Sequence, residues 1–321
     1  MSIVSFDNPI QEKISLVEDQ ILAQAQDNHP DLYAALEQLL AAGGKRVRPS
    51  VVLLIGDMLG GPEDKLVSLG AAVEMLHTAT LVHDDLIDIS HLRRGNPTLN
   101  ALWSPAATVL TGDFLFARAA GLAAEADHMP VMILFADTLA VMVNGELDQL
   151  FASQVLISRE NYYQRIYAKT ASLFEMSAQS AAMISATDDE TVEAFRIFGY
   201  EMGMAFQIMD DILDFTGEQS SVGKPIGSDL LHGIVTLPCI YYAETHPEDV
   251  NLKLLIEASW TDQDQMQRLI ELIRESDAIQ KSKREAEDFI NRALEQLAPY
   301  HSSIEKNALE DLARYVVDRE I

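Results

Sequence analysis

Cysteine is almost absent from this sequence, since Cys239 is the only one in 321 residues. A single cysteine excludes an intrachain disulfide and a cysteine-rich zinc site, and it fits a reducing compartment. Basic residues are also scarce: 23 Lys and Arg stand against 50 Asp and Glu, for a formal net charge of −27. A field of this sign repels nucleic-acid backbones, so we expect no nucleic-acid partner. An anionic ligand would need clustered cations or metal ions.

Signals for export or membrane insertion are missing as well. The chain begins MSIVSFDNPIQEK, without a basic segment followed by an apolar run, and we find no uninterrupted apolar stretch long enough to cross a bilayer. We therefore expect a cytoplasmic protein without stable membrane insertion.

The alternation of apolar and polar residues that is typical of a β-strand is also absent. Apolar residues recur at helical spacing instead, as in Ile14, Val17 and Ile21. Alanine-rich stretches at 117–126 and 178–186 favour closely packed helices. The chain has 48% hydrophobic residues, and no low-complexity linker divides it. The sequence thus predicts a single all-α domain over residues 1–321, with about ten or more helices separated by Gly and Pro breaks.

The clearest motif is Asp-Asp-x-x-Asp, which occurs twice. Residues 83–88 read HDDLID and residues 209–214 read MDDILD. In a helix, the first and last Asp of each triplet project from one face, where their like charges need a cation. A solvated helix end is the alternative, but the apolar neighbours of both triplets favour a magnesium site. The spacing does not fit a calcium EF-hand loop. The predicted metal-site residues are Asp84, Asp85, Asp88, Asp210, Asp211 and Asp214.

Several of the few basic residues form a cluster or follow an Asp triplet in sequence. Residues 43–49 read GGKRVRP, so three cations follow a Gly pair where backbone and side-chain donors can converge on an anion. Any one of them could be an ordinary surface cation, but their association with the triplets favours diphosphate binding. The further basic candidates are Arg93, Arg94, Lys169 and Lys224.

At these residues the sequence resembles the trans-polyprenyl diphosphate synthases, which include farnesyl and geranylgeranyl diphosphate synthases. The matching blocks cover most of the chain in order: residues 43–49, 77–98, 169–174, 203–215, 223–238 and the ending 315–319. The resemblance implies the isoprenoid synthase fold, with mostly antiparallel helices around a deep central cavity, and a homodimer. It also implies condensation of isopentenyl diphosphate with an allylic diphosphate, assisted by three magnesium ions per active site.

The resemblance further assigns roles to single residues. It implies that Asp84, Asp88 and Asp210 ligate magnesium directly, while Asp85, Asp211 and Asp214 support the cluster or its waters. Isopentenyl diphosphate would be bound by Lys45, Arg48, His77 and Arg94, and the allylic diphosphate by Arg93, Lys169 and Lys224. Gln207 and the backbone near Thr170 would face the reacting carbons, and together with Lys169 they are the predicted catalytic residues.

Product length should depend on residues four and five places before the first Asp. The resemblance implies that bulky residues there limit the product to a short chain, whereas this sequence has Thr80 and Ala79. Both are small, which favours geranylgeranyl diphosphate or a longer product. An ideal helix puts Thr80 about 40° from Asp84 and Ala79 about 140° away, so the role of Ala79 depends on the resemblance alone.

Two other functions are compatible with parts of this pattern. A class I terpene cyclase uses similar helices and metal ions, but usually has an Asn/Ser/Glu motif where this chain has its second Asp triplet. A non-catalytic partner subunit of a prenyl synthase tends to lose Asp or Arg motif residues, and this chain retains them.

Overall fold

A computed structural model of the chain describes residues 9–26, 28–41, 43–93, 95–151, 157–217, 226–256 and 263–319. The predicted all-α class is confirmed, because helices dominate and the strands assigned in these ranges form one two-residue hairpin. The chain forms two compact units. The first unit extends to Thr138 and adds Leu173–Arg196 and Leu297–Leu312. The second contains Leu139–Ser172, Ile197–Gln296 and the residues from Ala313 onward.

The helices are numbered in chain order. Their bounds are α1 Gln11–Ala23, α2 Pro30–Ala41, α3 Val47–Met58, α4 Glu63–Ile87, α5 Leu99–Leu102, α6 Pro105–Glu125, α7 Met129–Phe151, α8 Arg159–Ile166, α9 Ser172–Ile184, α10 Asp189–Thr216, α11 Ser228–Leu231, α12 Leu237–Thr245, α13 Val250–Ile256, α14 Gln263–Glu275, α15 Ala278–Leu297 and α16 Ile304–Asp318. A π-helical segment at Tyr167–Ala171 joins α8 to α9, and the hairpin pairs Leu92–Arg93 (β1) with Asn96–Pro97 (β2).

Helix α4 is the centre of the first unit. It contacts α1, α3 and α6, and buried residues occur around most of its circumference, as expected for a helix that is packed on several sides. Gly70 allows a close approach, because a Cβ there would lie 3.2 Å from Val17 Cγ2. The helix ends at its C-cap residue, Asp88. Ile89 then has a φ of +52°, which lies in the left-handed region and cannot continue a right-handed helix. The first Asp triplet is thereby held at the end of a buried helix.

Helix α10 carries the second triplet. Its apolar residues recur every three or four positions, and Phe198, Met202 and Phe215 are fully or almost fully buried. The helix ends at Thr216, and the amide of Gly217 donates to the carbonyl of Leu213. Asp210, Asp211 and Asp214 therefore occupy its last two turns.

Within the described ranges, three helices are long and apolar enough to cross a membrane by length and composition: α4, α6 and α7. The expectation that no stretch has this length is therefore wrong for these helices. Burial explains the apolar character of α4, since 72% of its apolar window lies inside the protein. The corresponding windows of α6 and α7 are only 39% and 22% buried, so much of their apolar surface faces outward.

Candidate active site

The first Asp triplet divides into one buried and two accessible carboxylates. Asp85 is only 6% exposed, whereas Asp84 is half-buried and Asp88 is exposed at the helix end. Arg93 donates from Nε to both oxygens of Asp85, at 3.0 and 3.1 Å, and from Nη2 to Oδ1 at 2.9 Å. Because Arg93 lies on β1, the small hairpin brings this guanidinium back to α4. Asp85 is thus tied to the protein, and Asp84 and Asp88 are the more accessible members.

The second triplet repeats this division. Asp211 is 3% exposed and accepts hydrogen bonds from Tyr162 Oη at 2.7 Å and Gln207 Nε2 at 2.8 Å. Thr170 Oγ1 in turn donates to Gln207 Oε1 at 2.6 Å. Burial raises the pKa of the Asp211 carboxyl and the Asp229 charge raises it further, while its two donors oppose the shift. The predicted residues Thr170, Gln207 and Asp211 therefore form one hydrogen-bonded chain in the second unit.

Asp214, the last carboxylate of the second triplet, caps a neighbouring helix. Its Oδ1 and Oδ2 accept the backbone amides of Ser228 and Asp229, both at 3.1 Å. The turn that precedes these amides is made possible by Gly227, whose φ is +68°. Asp214 thereby fixes the start of α11, and a carboxylate at a helix N-terminus is electrostatically favoured.

Lys169 and Asp210 each pair with an opposite charge. Lys169 Nζ lies 2.7 Å from Glu146 Oε1, and Asp210 Oδ1 lies 2.9 Å from Arg319 Nη1. Lys169 and Thr170 belong to the π-helical segment, and such local widening of a helix occurs frequently at functional sites. The side chains of Lys169 and Asp210 remain 39% and 41% exposed, so both are accessible to a ligand.

The GGKRVRP segment contains one structural arginine. Arg46 has a left-handed φ of 46° and donates to Glu18 Oε1 at 2.8 Å, Glu74 Oε1 at 3.0 Å and the carbonyl of Leu40 at 3.0 Å. These three contacts fix the loop that presents the exposed Lys45. The sequence did not separate Arg46 from its basic neighbours, because its partners lie on other helices.

The remaining predicted residues of the first unit lie on α3 and α4. Arg48 is 9% exposed, with its guanidinium carbon 4.6 Å from the centroid of the Phe174 ring. His77 and Thr80 are half-buried, and Ala79 is fully buried. Arg94 and Lys224 lie outside the described residues.

Residues 29–273 match the family model for polyprenyl synthetase. The chain belongs to the polyprenyl synthetase family. Its curated relatives include heptaprenyl diphosphate synthase component 2 of Bacillus subtilis, which is 35% identical over 97% of this chain and 89% of that protein. Chloroplastic solanesyl diphosphate synthase 2 of Arabidopsis thaliana is 34% identical over 97% of this chain and 75% of that protein. This polyprenyl synthetase is therefore a prenyl-transferring enzyme.

A solved structure supports the same family at the level of the fold. The polyprenyl synthase of Caulobacter crescentus, in complex with calcium and isoprenyl diphosphate, superposes with a TM-score of 0.91. It is 34% identical, over 99% of this chain and 98% of that one. The family match and the Asp-rich segments agree, since both point to a diphosphate held with divalent cations.

The donor set of this polyprenyl synthetase fits magnesium. Asp84, Asp88 and Asp210 offer accessible carboxylate oxygens of the hard type that magnesium prefers. Among the described side chains, no group of three or more His, Cys, Asp or Glu is arranged to hold a metal ion by itself. Magnesium in proteins commonly binds through one or two carboxylates and takes water and substrate phosphate for the remaining positions.

Sequence reasoning missed Tyr162, Glu146 and Arg319 as partners of the site. Tyr162 is 49 residues from Asp211, which it contacts. Glu146 and Arg319 are 23 and 109 residues from the groups that they contact, and no spacing rule reaches so far.

Proposed function

We propose that this polyprenyl diphosphate synthase condenses isopentenyl diphosphate with an allylic diphosphate in the trans configuration, with magnesium as its cofactor. The observation that supports this best is the matched construction of the two Asp triplets. In each, the middle Asp is buried and bound by protein side chains, while the first Asp stays accessible. Two such triplets, in a family of prenyl synthetases, favour a diphosphate leaving group held through three magnesium ions.

In this proposal Asp84, Asp88 and Asp210 hold magnesium, which supplies positive charge to the leaving diphosphate. The allylic C–O bond breaks, and the diphosphate departs with the electron pair. The alkene of isopentenyl diphosphate then attacks the allylic cation and forms the new C–C bond, and the released diphosphate accepts the proton whose loss restores a double bond. Lys169 and Arg93 orient the leaving group through charge-assisted contacts, while Thr170 and Gln207 face the reacting carbons.

The second substrate needs its own cations. Isopentenyl diphosphate would be held by Lys45, Arg48 and His77, together with Arg94. Arg46 supports this assignment indirectly, because its three contacts fix the loop before α3. The allylic site would be completed by Lys224.

A product of geranylgeranyl length or longer is supported by two observations. The relatives are a heptaprenyl and a solanesyl diphosphate synthase, which are long-chain enzymes by name. In this chain, Ala79 and Thr80 precede the first triplet, and neither side chain is bulky. A growing chain that passes these positions would meet no aromatic ring there.

We propose a homodimer formed through α6 and α7. Both helices expose large apolar side chains, which is costly in water unless a partner covers them. These exposed side chains include Val109, Leu110, Ile133, Val143 and Leu147. The protein is further proposed to be cytoplasmic, without stable membrane insertion.

The test is incubation of the purified chain with labelled isopentenyl diphosphate and dimethylallyl, geranyl, farnesyl or geranylgeranyl diphosphate in turn. We expect magnesium-dependent incorporation and a product of at least geranylgeranyl length by chromatography after dephosphorylation. A chelator should abolish this incorporation. Hydrocarbon formed from the allylic diphosphate alone would indicate a cyclase. If the folded protein incorporates no labelled isopentenyl diphosphate with any of the four primers, the proposal is wrong.

The metal assignment is tested by Asp84→Ala and Asp210→Ala. Each should lower turnover by about a thousandfold, which corresponds to about 4 kcal/mol of transition-state stabilisation. Asp64→Ala is the matched control, since Asp64 is an exposed aspartate in the first turn of α4 and should leave turnover unchanged. Near-normal rates for either triplet variant at saturating magnesium would show that the replaced carboxylate is not a ligand.

The alternative is that the chain is one part of a two-component synthase. This alternative is suggested by the Bacillus subtilis relative, which is named component 2 of heptaprenyl diphosphate synthase. In that case the chain alone would be inactive with all four primers, and activity would appear only when a second, different subunit is supplied.

A further inference from the structure

The last described residue of the chain, Arg319, is bound to the second Asp triplet. It follows the end of α16 at Asp318, and its side chain is only 14% exposed. Nη1 lies 2.9 Å from Asp210 Oδ1. A cation so well covered and so close to a predicted metal ligand contributes directly to the charge and orientation of that ligand.

Three contacts hold Arg319 independently of Asp210. Its Nη2 donates to the carbonyl of Phe206 at 3.0 Å, and its Nε donates to the carbonyl of Val316 at 3.2 Å. Its guanidinium carbon lies 4.0 Å from the centroid of the Phe206 ring. Because Phe206 is one turn before Asp210 on α10, the guanidinium is fixed relative to the helix that carries the carboxylate.

An anchored donor of this kind restricts the carboxylate that it binds. With Oδ1 of Asp210 held by Arg319, the orientation of the carboxylate is restricted. Carboxylates that ligate metals are commonly hydrogen-bonded in this way, and loss of the outer partner typically weakens metal binding by about 10- to 100-fold.

We propose that Arg319 is a positioning residue for Asp210, so that the C-terminal end of the chain sets the geometry of the second metal-binding triplet. This inference depends on the proposed role of Asp210 as a magnesium ligand. The opposing effect is repulsion between the guanidinium and the bound ion, which solvent screening at the partly exposed Asp210 reduces.

The experiment measures Mn²⁺ binding to the full chain in the presence of inorganic diphosphate, by electron paramagnetic resonance of the free ion. Arg319→Ala should raise the Mn²⁺ dissociation constant by about 10- to 100-fold. Arg319→Lys keeps the positive charge but lacks the planar guanidinium with its several donors, so it should give an intermediate dissociation constant. Arg268→Ala is the matched control, because it removes an arginine from an exposed pair with Glu271 in the same unit. A melting curve for each variant verifies folding.

The outcomes separate this inference from the proposed function. If the unaltered protein binds no Mn²⁺ with diphosphate present, the magnesium site itself is wrong. If it binds Mn²⁺ and Arg319→Ala, still folded, binds equally well, the positioning role is overturned. Tighter binding by Arg319→Ala than by Arg319→Lys also overturns it, since Arg319 would then repel the ion rather than orient its ligand.

Discussion

Ala79 offers a test of product length at the scale of one side chain. It is fully buried on α4, five residues before Asp84, where phenylalanine would add a ring and leave the charged groups unchanged. If this position lines the path of the growing chain, Ala79→Phe should shift products to shorter chains while total turnover is largely kept. Chromatography of the dephosphorylated products, beside a melting curve, measures both effects.

The matched control is Ala72→Phe. Ala72 is equally buried and lies two turns earlier on the same helix. If Ala79 merely packs against a neighbouring helix, both variants should lose about 1–3 kcal/mol of stability and keep the original product length. An unchanged product distribution in a folded, active Ala79→Phe enzyme would exclude Ala79 as a chain-length determinant.

The Asp triplets show how far sequence reasoning extends at this scale. The spacing of Asp84 and Asp88 correctly indicated a carboxylate pair at the end of a helix, because that geometry is local. It did not indicate that Asp85 faces Arg93 or that Asp211 faces Tyr162. The next residue along a helix is rotated by about 100°, so Asp85 and Asp211 lie on a different face from the first Asp of their triplet. Which residues contact that face is determined by the tertiary fold.

At the scale of elements, Gly112 on α6 lies directly against a side chain of α4. A Cβ on Gly112 would lie 2.1 Å from Nε2 of His83, so the imidazole of the residue before Asp84 would have to move. His83 Nε2 is also 3.1 Å from the carbonyl of Val109. We expect Gly112→Ala to lower the free energy of unfolding by about 1–3 kcal/mol, despite the better helix propensity of alanine.

Gly121 supplies the control on the same helix. A Cβ there would meet nothing within 4 Å, so Gly121→Ala should stabilise the protein by about 0.5–1 kcal/mol. Chemical denaturation of both variants gives the two values. Equal stabilisation by both substitutions would show that α6 does not need Gly112 for its approach to α4.

The long helices were predicted from the sequence, whereas two short elements were not, for a physical reason. Long helices such as α4 and α10 follow from periodic apolar residues, which are a property of the local sequence. The π-helical segment at Tyr167–Ala171 and the hairpin around Gly95 were not predicted. Both are short, and their formation depends on contacts such as Thr170 with Gln207 and Arg93 with Asp85. Local propensity does not encode these pairs.

At the scale of the whole molecule, composition indicated an all-α chain but did not reveal which apolar helices are covered. The apolar windows of α4 and α7 are similarly hydrophobic, yet they are 72% and 22% buried. Hydrophobic periodicity therefore identifies an apolar surface, but it does not identify the part of the protein or the partner that buries this surface. For α4 the rest of the first unit covers it, and for α6 and α7 we propose a second copy of the chain.

This proposal predicts the mass in solution. Sedimentation of the purified protein should give twice the chain mass of 35.5 kDa. A stable dimer typically buries about 1,600 Å² in total, of which the centre is apolar. Leu110 on α6 and Ile133 on α7 are 67% and 56% exposed in the isolated chain. The double variant Leu110→Glu/Ile133→Glu should therefore sediment as a monomer, because each glutamate would be desolvated in the interface.

Leu16→Glu is the control for this experiment. Leu16 is 47% exposed on α1, away from the proposed interface helices in sequence, and its replacement should leave the dimer intact. Circular dichroism shows whether each variant retains its helices. If the folded double variant still sediments as a dimer, association uses another surface. If the unaltered chain is a monomer at micromolar concentration, the exposed apolar side chains of α6 and α7 must contact a different partner, and a second, unlike subunit becomes the leading explanation.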